Sequence, residues 1–146
     1  MPLSELNPVH ILIIEDNPGD VRLTREAFEE TGMKFELHVA HDGEAGLQFL
    51  RSQEPYVTAP RPCMVLLDLN LPRVDGREVL RQIKSDPQLC TIPVIILTTS
   101  SDRRDVLYTY EFHANCYLRK PLDLEEFTRT IHALKDFWFN RVTLPQ

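Results

Sequence analysis

No block of lysine or arginine occurs in the 146 residues, no apolar stretch approaches the roughly 18 residues of a membrane span, and only three cysteines are present. Each lack removes a class of function. With a net charge of -6, a pI near 5.3 and no basic block, the chain is a poor match for a polyphosphate backbone, so no direct nucleic-acid partner is expected. The missing apolar run argues against a membrane partner. Met1-Pro2-Leu3-Ser4-Glu5 has neither the basic start nor the apolar core of a signal peptide, so the expected location is cytoplasmic. Cys63, Cys90 and Cys116 are odd in number and far apart, which fits reduced, buried thiols, and no arrangement of His or Cys points to zinc. Repeats and low-complexity tracts are also missing, and this length makes one domain with one core.

What is present is a regular alternation of strand and helix signals. Short runs of bulky apolar residues, His10-Ile11-Leu12-Ile13-Ile14, Met64-Val65-Leu66-Leu67, Pro93-Val94-Ile95-Ile96-Leu97 and Asn115-Cys116-Tyr117-Leu118, read as buried strands, and Phe35 to Ala40 alternates as a half-buried one. Between them lie helix signals. Asn17-Pro18-Gly19-Asp20 opens a helix running to about Thr31, with Asn17 as cap, Pro18 at the first position and Asp20 at the positive end of the dipole. Asp42-Gly43 opens a second, and others are expected from about Arg77 to Lys84 and from Asp102 to roughly His113. The last carries Leu124, Phe127, Ile131 and Leu134 at helical spacing. Arg51 to Pro62, rich in proline, reads as an extended connection. Five strands alternating with five helices predict a parallel α/β sheet covered on both faces.

Three of the strands end in charge: Glu15-Asp16 after the first, Asp68 after the third, and Lys120-Pro121 after the fifth. In a parallel sheet these ends share one edge, where function concentrates. Taken singly each residue has a plain reading, Asp68 as a loop cap, Lys120 as a surface lysine, Thr98 as a cap for the following helix. Together they make more sense as a pocket. Asn17 already caps the first helix, and Ser101 or Asp102 suits the fourth better than Thr98 does. Two carboxylates within about 4 Å repel by about 4 kcal/mol at an effective dielectric near 20, so the cluster needs a cation. Hard oxygen ligands favour Mg²⁺. A cis Lys120-Pro121 bond would help aim the lysine.

These residues resemble the receiver domain of two-component response regulators. The match covers about Val9 to Leu134; Thr98 lies 30 residues after Asp68 and Lys120 lies 22 after Thr98, spacings common in that family. The resemblance implies a flavodoxin-like, doubly wound fold with strand order 2-1-3-4-5. It further implies that Asp68 is the phosphoacceptor, that Glu15, Asp16, Asp68 and the Asn70 backbone carbonyl hold Mg²⁺, and that Thr98 and Lys120 hold the phosphoryl group. Tyr117 matches the aromatic switch residue. The expected sequence is attack by Asp68 on a donor phosphohistidine, then movement of Thr98 toward the new phosphoryl oxygen, then inward rotation of Tyr117. Asn70 and Ser100 flank the pocket and are expected to tune loss of the phosphoryl group. Such a chain modifies itself, so it is not expected to be an enzyme. A haloacid-dehalogenase-like phosphatase is disfavoured by Asn70, which stands where a second Asp is required, and a phosphorylation-independent interaction module remains the alternative.

The C-terminal end is unusually apolar. Phe137, Trp138, Phe139, Val142 and Leu144 suggest a dimer contact, because three consecutive aromatics span about 200° of a helix and cannot all face one core. The expected organisation is an N-terminal extension over 1–8, a receiver over 9–136 and an apolar tail over 137–146, with no attached output domain. This ending, Glu15-Asp16-Asn17-Pro18-Gly19-Asp20 and Ala59-Pro60-Arg61-Pro62 resemble the small receivers paired with bacterial phytochrome kinases. That narrower resemblance implies a phytochrome histidine kinase as partner and a homodimer, with Tyr110, Tyr117 and Phe127 contributing near its interface.

Overall fold

The computed structural model describes residues 7–121 and 123–145; most of the expected extension over 1–8, and Gln146 of the expected tail, lie outside the described residues. The elements run β1 (Val9–Ile14), α1 (Pro18–Glu30), β2 (Phe35–Ala40), α2 (Gly43–Leu50), β3 (Met64–Leu67), α3 (Gly76–Ser85), β4 (Val94–Thr98), α4 (Arg103–Glu111), β5 (Cys116–Arg119) and α5 (Leu124–Asn140). The strands form one parallel sheet, as the alternation predicts, in the order β2-β1-β3-β4-β5 that the resemblance implies.

Strand alternation divides the core into two layers. Leu12, Ile14, Val65, Leu67, Val94 and Ile96 face α2 and α3, while Ile11, Ile13, Met64, Leu66, Ile95 and Leu97 face α1 and α5. Each helix starts on an Asx cap: Asn17, Asp42, Asp75, Asp102 and Asp123 each accept a backbone N–H from the first turn. With Asn17 and Asp102 in that role, Glu15, Asp16 and Thr98 are free for other work. Gly76 permits the tight return after β3, since a Cβ there would lie 2.2 Å from the Asp68 carbonyl oxygen.

Two expectations need correction. The boundary at 136/137 does not exist, because α5 continues through Asn140 and its last turn carries the aromatic triplet. Phe139 lies eight residues after Ile131, two helical turns on, and so joins the stripe of Phe127, Ile131 and Leu134. The chain then reverses, Val142 donating its N–H to the Phe137 carbonyl, and returns Leu144 to the same core. The connection from Arg51 to Pro62 is not extended throughout: over 51–58 it is a series of turns, with Tyr56 N–H donating to Gln53 O and Ala59 N–H to Tyr56 O. The isomer of Lys120–Pro121, which the sequence leaves open, is trans; among the described residues the cis peptide is Glu54–Pro55. At the far edge of the sheet, Pro145 comes back to share a cleft with Pro8 and Val9.

Candidate functional site

The pocket forms where β1, β3, β4 and β5 end. Glu15, one residue past β1, is 2 % exposed, and Asp68, one past β3, is 7 % exposed. Asp16 is exposed beside them, and one carboxylate oxygen from each of the three lies within 4.8 Å of the others. Lys120 follows β5 and is held in register by its backbone N–H to the Thr98 carbonyl at 2.7 Å. Its Nζ donates to Glu15 Oε2 at 2.5 Å, Asp20 Oδ2 at 2.8 Å and Asp68 Oδ2 at 2.9 Å. One ammonium thus spans three carboxylates. Asp20 is the partner that sequence reasoning missed; its position in the first turn of α1, just past the acidic pair, was the available signal.

The other oxygen of Asp68 is also engaged. Thr98 Oγ1 donates to Asp68 Oδ1 at 2.8 Å, and the Asn70 backbone N–H donates to the same atom at 3.2 Å. Burial alone would raise the Asp68 pKa. The hydrogen bond and charge of Lys120 outweigh it, and with Thr98 and Asn70 they hold the carboxyl below its usual range. Glu15 goes the other way. Its burial dominates over Lys120, and the Asp68 charge adds to it, so its pKa is pushed up to about 7. The environment therefore separates two neighbouring acids: Asp68 is kept ionised and Glu15 holds a proton readily.

Around the pocket runs a second polar network. Arg77, in the first turn of α3, clamps Asp105 of α4 with two hydrogen bonds of 2.7 Å. Asp105 accepts from Ser100 Oγ at 2.6 Å, and the Ser100 carbonyl accepts from Tyr117 Oη at 2.8 Å. Arg77 and Asp105 were not visible as a pair from sequence, being 28 residues apart on different helices. Both switch residues are engaged in the unmodified chain. Thr98 bonds the free Asp68 carboxylate, and Tyr117 donates to the Ser100 carbonyl in the loop after β4.

The C-terminal residues separate into two groups. Phe139 and Leu144, 5 % and 9 % exposed, are packed in this chain's own core and are withdrawn as dimer contacts. Phe127, 3 % exposed, is withdrawn for the same reason. Phe137 is exposed, Trp138 and Val142 are partly buried, and Tyr110 is exposed on α4.

The profile of the response regulator receiver domain matches residues 11–132. The chain belongs to the response regulator receiver family. Within it, the chain is 45 % identical over 138 residues to the response regulator Rcp1 of Synechocystis, covering 94 % of each protein. The crystal structure of Mn²⁺-bound Rcp1 superposes with a TM-score of 0.90, covering 95 % of this chain and 100 % of that one. The phosphorylated cyanobacterial phytochrome response regulator RcpA is 40 % identical, with a TM-score of 0.92 over 95 % of this chain and 99 % of that one. A third relative, the probable methanogenesis regulatory protein FilR2 of Methanothrix harundinacea, is 44 % identical over 132 residues, 90 % of this chain and 84 % of that protein. This receiver is thus a homologue of phytochrome response regulators, and its five-stranded sheet is the flavodoxin-like receiver fold. No helix among the described residues is long and apolar enough to cross a membrane.

Proposed function

We propose that this response regulator accepts a phosphoryl group on Asp68 from the phosphohistidine of a sensor histidine kinase, and that the kinase is a phytochrome. The observation that carries the first part is the treatment of Asp68: a buried carboxylate kept ionised by Lys120, with Thr98 and Asn70 donors aimed at its second oxygen. In the transfer an Asp68 oxygen attacks phosphorus, the P–N bond breaks opposite to it, and the departing imidazole keeps the bonding pair. Lys120 and Thr98, freed from the carboxylate, hold the phosphoryl oxygens. The product is an acyl phosphate, and the chain is a signalling module whose own side chain is modified. Support for a phytochrome partner comes from the homology to RcpA and Rcp1.

Glu15, Asp16 and Asp68 fit a hard divalent cation, because all three supply carboxylate oxygens within 4.8 Å of one another and no nitrogen or sulfur ligand intrudes. Mg²⁺ is the proposed ion, with the Asn70 carbonyl as a further ligand, and Mn²⁺ bound to Rcp1 supports the choice of a divalent metal. Bound there, the ion would offset charge on the transferring phosphoryl oxygens.

Acetyl phosphate with Mg²⁺ tests the assignment. Labelling should be acid-stable, base-labile and lost in Asp68→Asn. Labelling that survives that change overturns Asp68 as acceptor, and a wild-type chain that never labels favours the phosphorylation-independent module. Exposed Phe137, beside half-buried Trp138 and the uncovered edge of β5 (Cys116 and Leu118), is the surface we assign to pairing with a second copy.

A further inference from the structure

The opposite end of the sheet carries a second cluster of ligand-bearing side chains. In the β1–β2 ladder His10 stands opposite Glu36 and Leu12 opposite His38, so His10, Glu36 and His38 fall on one face of the edge pair. His10 Nδ1 and His38 Nε2 are 3.1 Å apart. Glu36 Oε2 completes the triangle, 3.4 Å from His10 Nδ1 and 3.8 Å from His38 Nε2. None of these residues touches the phosphorylation pocket. His10 lies five residues before Glu15 along β1, about 16 Å away at a rise of about 3.3 Å per residue.

Two imidazole nitrogens at 3.1 Å cannot both carry hydrogen, so the gap between them holds one proton and one lone pair. A cation that accepts both lone pairs fits it as well. Around a tetrahedral zinc ion with bonds of about 2.0 to 2.2 Å, adjacent ligand atoms lie about 3.3 to 3.6 Å apart. The observed 3.1, 3.4 and 3.8 Å bracket that edge length, so shifts of a few tenths of an ångström suffice. The surroundings suit a metal too. His38 packs its ring on Phe49, which limits its rotation, and burial followed by the His10 charge holds its pKa below the usual value, keeping the lone pair available. The exposed Glu36 leaves one side open to solvent for a fourth ligand.

We propose that His10, Glu36 and His38 bind a first-row transition-metal ion, with Zn²⁺ the best match to two imidazoles, one carboxylate and an open fourth position. The ion would cross-link the edge strand β2 to β1. Neither the receiver chemistry nor Mg²⁺ is involved. His/His/Glu also differs from the all-oxygen pocket in the metals it prefers, so the two sites are separable by experiment.

The test is a Zn²⁺ titration of the full chain against a competing chelating dye in excess Mg²⁺, with Co²⁺ absorption as a second readout. Wild type should bind one Zn²⁺ per chain and give the visible bands of tetrahedral Co²⁺. Asp68→Asn, which disables the phosphorylation pocket, should keep both. His10→Gln should abolish them, and Glu36→Gln, at an exposed position the fold tolerates, should weaken Zn²⁺ by about tenfold or more. Zinc should raise the melting temperature of wild type but not of His10→Gln. The proposal is overturned if wild type fails to compete with the dye, if binding persists in His10→Gln, if Glu36→Gln binds as tightly as wild type, or if binding disappears in Asp68→Asn.

Discussion

Replacing Lys120 by methionine removes the single charge that three carboxylates share while keeping most of its volume. The Lys120 side chain is 7 % exposed and those of Glu15 and Asp68 are 3 % and 8 %, so water replaces little of what is lost. Removing one partner of a buried ion pair costs about 3 to 5 kcal/mol, because the remaining charge is left uncompensated. Glu15 has a way out: its pKa, already about 7, rises further and it takes up a proton. The sign then follows. Between the unfolded carboxyl value and the raised folded one, the folded chain binds the extra proton, so stability falls as pH rises, by about 1.4 kcal/mol per pH unit for one proton. In wild type that slope ends near pH 7; in Lys120→Met it continues above. Urea unfolding followed by circular dichroism in EDTA should show a deficit of about 3 to 5 kcal/mol at pH 8 that shrinks by about 1 to 2 kcal/mol at pH 6. A deficit below about 1 kcal/mol, or one equal at both pH values, would refute the view that Lys120 neutralises this cluster.

Mg²⁺ binding should release a proton from Glu15 below about pH 7 and hardly any at pH 9, so the calorimetric heat at pH 6 should depend on the ionisation enthalpy of the buffer; a buffer-independent heat would contradict it. Gly76→Ala pushes a methyl group to 2.2 Å from Asp68 O and 2.5 Å from Leu69 Cα, both backbone atoms that cannot swing away, and should cost about 3 kcal/mol or more in chemical denaturation. A loss within 1 kcal/mol would mean the loop yields easily. Phe137→Ala with Trp138→Ala should convert a dimer to a monomer by light scattering. A monomeric wild type, or an unchanged mass in the double variant, would remove the pairing surface.

The pocket was legible because its logic is local. A buried strand that ends in a carboxylate advertises itself within five residues, and parallel topology forces Glu15, Asp68, Thr98 and Lys120 onto one edge whatever the details of packing. The caps Asn17 and Asp102 were equally readable, which is why the acids left over pointed to a cation, whereas Asp75 and Asp123 went unread as caps. What escaped depends on register between distant segments. Asp20 meets Lys120 only because of where α1 crosses the strand ends, and Arg77 meets Asp105 only through the spacing of α3 and α4. His10 faces Glu36 because one particular strand pairing is chosen over its neighbours. The aromatic triplet was misassigned for a different reason. Its three residues do point in different directions, as their spacing requires, but one direction coincides with the existing core stripe, and a reversal after the helix brings Leu144 in as well.

The return of Pro145 to Pro8 and Val9 gives the domain the topology of a plug: the main chain enters and leaves at one cleft, on the edge away from Asp68. A unit with neighbouring ends can be spliced into a surface loop of another protein without stretching either partner. The two ends could equally be joined and new ones opened in the turns over 51–58, far from the acidic edge. A change at the acidic edge could then be read out by whatever host carries the insert, since Asp68 and its neighbours would not be disturbed by the junction.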